Sequence, residues 1–407
     1  MSVWCLVVFF LSMNLCSKEL EFLEALDLIM KNDTYIPPMQ AYLESEKTNR
    51  LAGVLNFLPT VDTGYKKNYD YMDDVRSNSL YVSTNLNLFK GGADYYSLEA
   101  RRFAVNKLEN GLLRLEMERE KTAVVYLINM ILYKRKLHIQ KAMVEIKERA
   151  LKLAESRYQK GFVSHDDVLK AQVDYKNTYA TFYSAQIDFQ NAKKDLTPLL
   201  GDYEIQDVWP WTQRLEKMKD LSPDSSEEDH PRILELTNQY EQQQKLQSYH
   251  RGLLLPSLDF NVSWQKNEIL KNVSYDRVGV LTLSWPLFDG LFKWSNYKAQ
   301  SAEKVNMEFT LIREKRKLKE ELKNAREKLH LAIETAKQRD ETLKLSKNLY
   351  QKNAQRYNQG KISITDLEWE QNRLLVSENL ACDGWALVHI NLQEFCHSNG
   401  KLIRACF

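Results

Sequence analysis

The chain has few helix breakers. Its 407 residues hold only 13 glycines and 9 prolines, which excludes collagen-like and Gly/Pro-rich low-complexity classes. It has five cysteines, Cys5, Cys16, Cys382, Cys396 and Cys406, without metal-ligand spacing. The last three read as buried thiols or as including one disulfide; a metal site with His389 and His397 is the remote alternative. The remaining histidines are scattered and lack the HExxH pattern, so no metal is expected. Gly91-Gly92 has no phosphate-loop context, and no nucleophile stands with a base, so neither a cofactor nor an enzyme is expected. Charge of one sign is missing too. The net charge is +2, which implies no nucleic-acid partner. The charge run at 313–321 mixes Glu with Lys and Arg and reads as a solvated helix face. No internal stretch of 18 apolar residues exists, so no transmembrane helix is expected.

What is present is apolar at the start and helical in the main. Residues 3–11 form a short apolar run, read as the core of a signal peptide (1–17) although no Lys or Arg precedes it. Cleavage is expected near 16–18. Acylation of Cys16 is the alternative, but Leu15 is large for the residue before a lipidated cysteine. Charged residues make up 28% of the chain, which suits long solvated helices.

The rest divides into two copies of one plan. The first, 18–200, has a helix over 19–30, a second over 39–57 ending at Leu58-Pro59, and two strands at about 59–71 and 79–89. A polar loop over 70–78 separates the strands, and a long helical hairpin over 93–200 follows. A polar connector with Trp209 and Trp211 spans 201–229. The second copy, 230–397, has a helix stopping at Leu255-Pro256, strands at about 256–266 and 275–288, and a hairpin over 291–397. A tail covers 398–407. The long arms would reach ~100 Å at helical rise.

The copies are in register at an offset of 199. Tyr158, Gly161, Ser164 and Asp167 recur as Tyr357, Gly360, Ser363 and Asp366. Each set reads as a helix stopped by Gly and a new helix capped by Ser. Val168, Tyr175, Phe182, Phe189 and Leu196 are spaced by seven, and so are Leu367, Leu374, Ala381, Val388 and Phe395. Leu318, Leu322, Ala325, Leu329, Ala332 and Ala336 follow alternating steps of four and three, which is coiled-coil packing. Matching positions in both halves argue for duplication.

The strands alternate. Val61, Thr63, Tyr65, Tyr69 and Tyr71 form one set; Leu80, Val82, Leu86 and Leu88 another. Leu258, Phe260, Val262 and Trp264 form a third, and Leu281, Leu283, Trp285 and Leu287 a fourth. Their neighbours are largely Ser, Asn, Asp, Gln and Thr. Apolar faces of this kind fit lipid and polar ones a wet lumen. Four strands cannot close a barrel, and an open sheet in lipid leaves unpaired edges. Several chains would therefore share one barrel. A soluble hairpin pair packed on the helices is the alternative.

These features together resemble the TolC family of outer membrane efflux proteins. The resemblance rests on Leu58-Pro59 and Leu255-Pro256 before strands, Phe89-Lys90-Gly91 and Phe288-Asp289-Gly290 after them, and the two Tyr-x-x-Gly turns, over about 22–395. It implies a mainly α fold with a small β part. Three protomers, each giving four strands, would form a 12-stranded outer-membrane β-barrel continued by a periplasmic α-helical tunnel. It implies a passive exit duct for efflux or type I secretion, partnered by outer-membrane lipid, a periplasmic adaptor and an inner-membrane pump. The turn residues would dock the adaptor at the periplasmic tip. Asp366 stands where the family narrows its pore, and Trp369 stands where a second Asp is found; Glu370 is a third pore candidate. Asp366 equally suits a helix cap, and both roles can hold. A soluble periplasmic coiled-coil scaffold is the competing function.

Overall fold

A computed structural model describes residues 19–70, 75–201, 203–210, 227–269 and 272–406. The signal-peptide reading, Cys5, Cys16, Tyr71 and Trp211 lie outside the described residues. In chain order the elements are β1 (Glu19–Leu20), α1 (Phe22–Asn32), α2 (Ile36–Leu55), β2 (Thr60–Asp70), β3 (Val75–Lys90), α3 (Ala93–Gln159), α4 (His165–Leu200), β4 (Glu204–Ile205), α5 (Pro231–Gly252), β5 (Ser257–Ile269), β6 (Asn272–Ser284), α6 (Phe292–Asn358) and α7 (Ile364–Ser398). The duplication is kept in the backbone: α3 and α6 are both 67 residues long and start 199 residues apart.

Two strand boundaries differ most from the sequence reading. β3 begins at Val75, inside the expected polar loop, because Arg76, Ser77 and Asn78 pair with Tyr69, Asn68 and Lys67 of β2. Pairing, not polarity, decides where a strand starts. α4 runs to Leu200, as expected, and stops at Gly201 (φ 68°). β6 ends at Ser284, one residue before Trp285-Pro286, since proline cannot donate to the ladder.

One compact unit comprises residues 34–117 and 223–322. Its sheet is antiparallel in the order β2-β3-β5-β6. The register fixes the faces. Val61, Thr63 and Tyr65 stand opposite Thr84, Val82 and Leu80. Those pair with Val262, Trp264 and Lys266, and these with Gly279, Arg277 and Tyr275. Leu86, Phe260 and Leu281 form a further row of the same face. The opposite face carries Asp62, Ser83, Ser263, Asn85 and Asn261, and Asn87 donates to Asp259 at 2.6 Å across strands. On that face Tyr81 lies over Gly64, where a Cβ would meet its hydroxyl at 2.5 Å. Leu43, Val105 and Leu108 form a small separate core. Gly91 (φ 61°) ends β3 against α5: a Cβ there would lie 2.2 Å from the Gly252 carbonyl.

The other unit holds the described residues within 19–33, 118–210 and 323–406. Each unit thus draws on both repeats. Here Phe22, Ala25, Leu26 and Ile29 of α1 bury against Leu127 and Ile131 of α3, Leu196 of α4, Leu329 of α6 and Leu392 of α7. The stripe Ala325, Leu329, Ala332 and Ala336 is buried as its spacing requires. A two-residue parallel pair, Glu19 with Glu204 and Leu20 with Ile205, joins the chain start to the connector. Arg135 holds Asp207 at 2.5 Å and lies 4.8 Å from the Trp209 ring centroid. His389 is fully buried beside Trp209 and contacts the Pro210 carbonyl. Cys396 and Cys406 form a disulfide and Cys382 is free, so one of the open readings of the cysteines holds.

Candidate functional site

Both turns are built the same way. In the first, Phe162 N–H bonds the Arg157 carbonyl and Gly161 N–H the Tyr158 carbonyl, both at 2.9 Å; in the second, Lys361 bonds Arg356 and Gly360 bonds Tyr357, again at 2.9 Å. This six-to-one and five-to-two pattern needs a left-handed residue after the helix, and Gly161 (φ 76°) and Gly360 (φ 70°) supply it. Ser164 then caps α4 and Ser363 caps α7. The Ser363 hydroxyl accepts from Asp366 N–H at 3.1 Å, and the Asp366 carboxylate accepts from Ser363 Oγ at 2.7 Å and Ser363 N–H at 3.1 Å. Ser164 and Asp167 repeat this geometry. Hydrogen bonds from the serine hold both aspartates below their usual range, so both are ionised at neutral pH.

The turns differ in what surrounds them. Tyr357 is 2% exposed and packs with Ile364 and Leu367. The Arg157 side chain donates to the Tyr357 carbonyl at 2.9 Å, and its guanidinium lies 4.2 Å from the Tyr357 ring centroid. A cation here meets the negative end of α6 as well as the ring. Tyr158, by contrast, is exposed, and its ring meets the His165 ring of its own turn at 5.4 Å. Sequence reading missed Arg157; the signal was its place next to Tyr158, repeated at Arg356 and Tyr357.

Of the pore candidates, Asp366 is exposed and Trp369 is 71% exposed. Glu370 is buried, 3.6 Å from Arg373. Glu368, a second acid that could help the Asp366 ring, is half-buried. Burial pushes its carboxyl up, Asp174 adds to that, and Lys147 opposes it. Lys147 itself is buried and bonds Asp174 at 3.1 Å.

On the sheet, Leu80, Val82, Leu86, Leu258, Phe260, Val262, Trp264, Leu281 and Leu283 share one face, as the alternation requires. That face is open: Val61 is 67% exposed and Leu283 72%. Two expected members are corrected. Leu88 falls in the register shift between Asn87 and Phe89, and Phe89 takes the position opposite Leu258. Trp285 lies beyond β6. Among the described residues no helix is long and apolar enough to cross a membrane, and no cluster of His, Cys, Asp and Glu could hold a metal.

Comparison with known proteins shows what the chain is similar to. Residues 26–202 match the outer membrane efflux protein family. Solved structures of similar fold include CusC (12% identity, TM-score 0.82, covering 93% of this chain and 91% of that one). The outer membrane channel CmeC of Campylobacter jejuni matches at 13% identity and TM-score 0.82, covering 92% of this chain and 84% of its own. The MtrE outer membrane channel of Neisseria gonorrhoeae matches at 14% and 0.72, covering 93% and 88%. No curated protein sequence matches. The resemblance to the TolC family thus holds by sequence over the first repeat and by fold over nearly the whole described chain.

Proposed function

We propose that this chain is one third of a passive exit duct in the outer membrane, serving a tripartite efflux or type I secretion assembly. The observation that carries this is the four-stranded sheet with one apolar face, one polar face and two open edges. A soluble scaffold has no use for such a face. In lipid, the edges of β2 and β6 must be paired, and three copies give a 12-stranded barrel.

Internal symmetry supports closure by further copies. In the β3–β5 ladder, Val82 pairs with Trp264 and Thr84 with Val262. Applying the 199-residue offset to each partner puts Leu281 of β6 opposite Tyr65 of the next copy, and Leu283 opposite Thr63. The same logic fills other open places. Gly91 packs on Gly252 within the chain, while its counterpart Gly290 has nothing within 4 Å among the described residues; the counterpart of Gly252 is Gly53 of the next copy. Leu132 and Ala386 are buried, whereas their counterparts Leu331 and Ile187 are 64% and 61% exposed. Arg157 holds Tyr357; Arg356 would hold Tyr158 of the next copy.

Asp366 and Trp369 would frame the constriction, with the buried Glu370 adding charge behind them. Three carboxylates around an axis favour cations. The turns, with Tyr158, Gly161, Ser164, Asp167, Tyr357, Gly360 and Ser363, would meet a periplasmic adaptor linked to an inner-membrane pump. The chain would do no chemistry. The test is a disulfide cross-link. Tyr65→Cys with Leu281→Cys should give covalent dimers and trimers from outer-membrane preparations, and Tyr65→Cys with Gly279→Cys should give less. Soluble periplasmic monomer without cross-links would refute the duct.

A further inference from the structure

The apolar face of the sheet ends in cations, and it ends on a slant. Following β2, β5 and β6 toward the hairpin ends, the first basic residue on that face is Lys67, Lys266 and Arg277 respectively; on β3 it is Arg76, opposite Tyr69 and one same-face position beyond the Lys67 row. In ladder rows, Arg277 is level with Trp264, Lys266 is one same-face position higher, and Lys67 one higher again. That climb is four residues, about 14 Å along a strand, across three strand spacings of about 4.8 Å. The line is therefore inclined roughly 45° to the rows, close to the tilt of strands in membrane barrels. In a barrel tilted in this way the slanted line becomes level around the wall.

An aromatic residue accompanies each cation on the same face: Tyr65 precedes Lys67, Trp264 precedes Lys266, and Tyr275 stands two residues from Arg277. The Trp264 and Tyr275 rings are stacked with centroids 6.1 Å apart. Lys67 and Arg277 are exposed and Lys266 is half-buried. An acid, Glu268, occupies this face beyond Lys266, opposite Val273. Aromatic rings favour the boundary between hydrocarbon and headgroups. Cations just beyond it favour phosphate, since the apolar body of each side chain covers the lipid-facing surface while its head reaches the headgroup.

We propose that Lys67, Lys266 and Arg277 form a basic band around the barrel that binds the phosphate headgroups of anionic lipid. This rests on the sheet lying in lipid, as proposed above. Three copies would place nine such cations at one level. Each basic residue near an anionic surface is worth roughly a fivefold preference.

Trp264 is the reporter. The purified protein would be reconstituted into phosphatidylcholine vesicles containing acyl-brominated phosphatidylglycerol or, separately, acyl-brominated phosphatidylcholine at equal mole fraction. The fluorescence component lost in Trp264→Phe is followed. The band predicts at least about twofold stronger quenching by the anionic lipid. Lys266→Gln with Arg277→Gln should abolish that excess, while quenching by brominated phosphatidylcholine persists and shows that the variant is inserted. Equal quenching of the native protein by both lipids would overturn the band and leave the duct standing. Quenching by neither would overturn the placement of this face in lipid, and the band with it.

Discussion

Helices α4 and α7 are copies of one helix, yet the chain treats them differently. Both start at a Ser–Asp capping box and both carry a heptad stripe. α7 buries 17 residues and α4 only four, Ala171, Ala192, Leu196 and Leu200. The difference does not come from helix-forming tendency. α7 lies against the α3 side of the first repeat, as the Lys136–Asp383 pair at 2.6 Å shows. The corresponding side of α4 has no occupant among the described residues and leaves Val173, Tyr183 and Ile187 exposed. A duplicated unit with one filled and one unfilled copy of the same interface is half of a repeating contact. The ring of copies proposed above would fill it.

The largest effect that would break this comparison is in the α7 core. Leu392 is fully buried, and Leu392→Ala should cost about 2–5 kcal/mol of stability in a thermal melt. Ile187→Ala on α4 should change the melting of a separated protomer by under about 0.5 kcal/mol. It should nonetheless lower the temperature at which the trimer dissociates on gels. An equal loss for both in separated protomers would mean that α4 is not waiting for a partner.

Next comes pH. Burial lowers the His389 imidazole to about 4, although two backbone carbonyls face its nitrogens and favour the charged form. The folded protein therefore binds the proton less well than the unfolded chain, whose histidine titrates near 6.5. Stability from this group is complete above pH 6.5. It falls as the pH drops toward 4, by about 3 kcal/mol in all. The counterpart in α4 is the exposed Gln190, so His389→Gln should flatten this part of the stability profile.

Two smaller effects sharpen the contrast at the turns and strand exits. Arg157→Ala removes a contact worth about 1 kcal/mol, so denaturant titration should show a stability loss of about that size. If copies repeat the contact, Arg356→Ala should act likewise. Leu291 has φ 66°, where its counterpart Gly92 has φ 78°. Leu291→Gly should stabilise the protein by about 0.5–1 kcal/mol by relieving left-handed strain, as denaturant titration would show.

Long-period features were legible in the sequence. The 199-residue offset located both hairpins, because Gly after a helix and Ser before one act locally. α3 runs from Ala93 to Gln159 as read. Long-range pairing was not legible. β1 and β4 are two residues each, too short to show alternation, and they meet across 185 positions. The shift at Leu88 depends on β5, not on β3's own pattern. The cap role of Asp366 was readable from its spacing to Ser363. The Arg157–Tyr357 contact was not, because nothing local joins residues 200 apart.

The duct itself is tested most directly by single-channel recording of the purified trimer in planar bilayers. Native protein should give discrete cation-selective steps blocked by multivalent cations. Asp366→Asn, which keeps the side-chain shape but removes three charges from the ring, should lower cation selectivity and weaken that block. A protein that forms no conducting trimer would contradict the account.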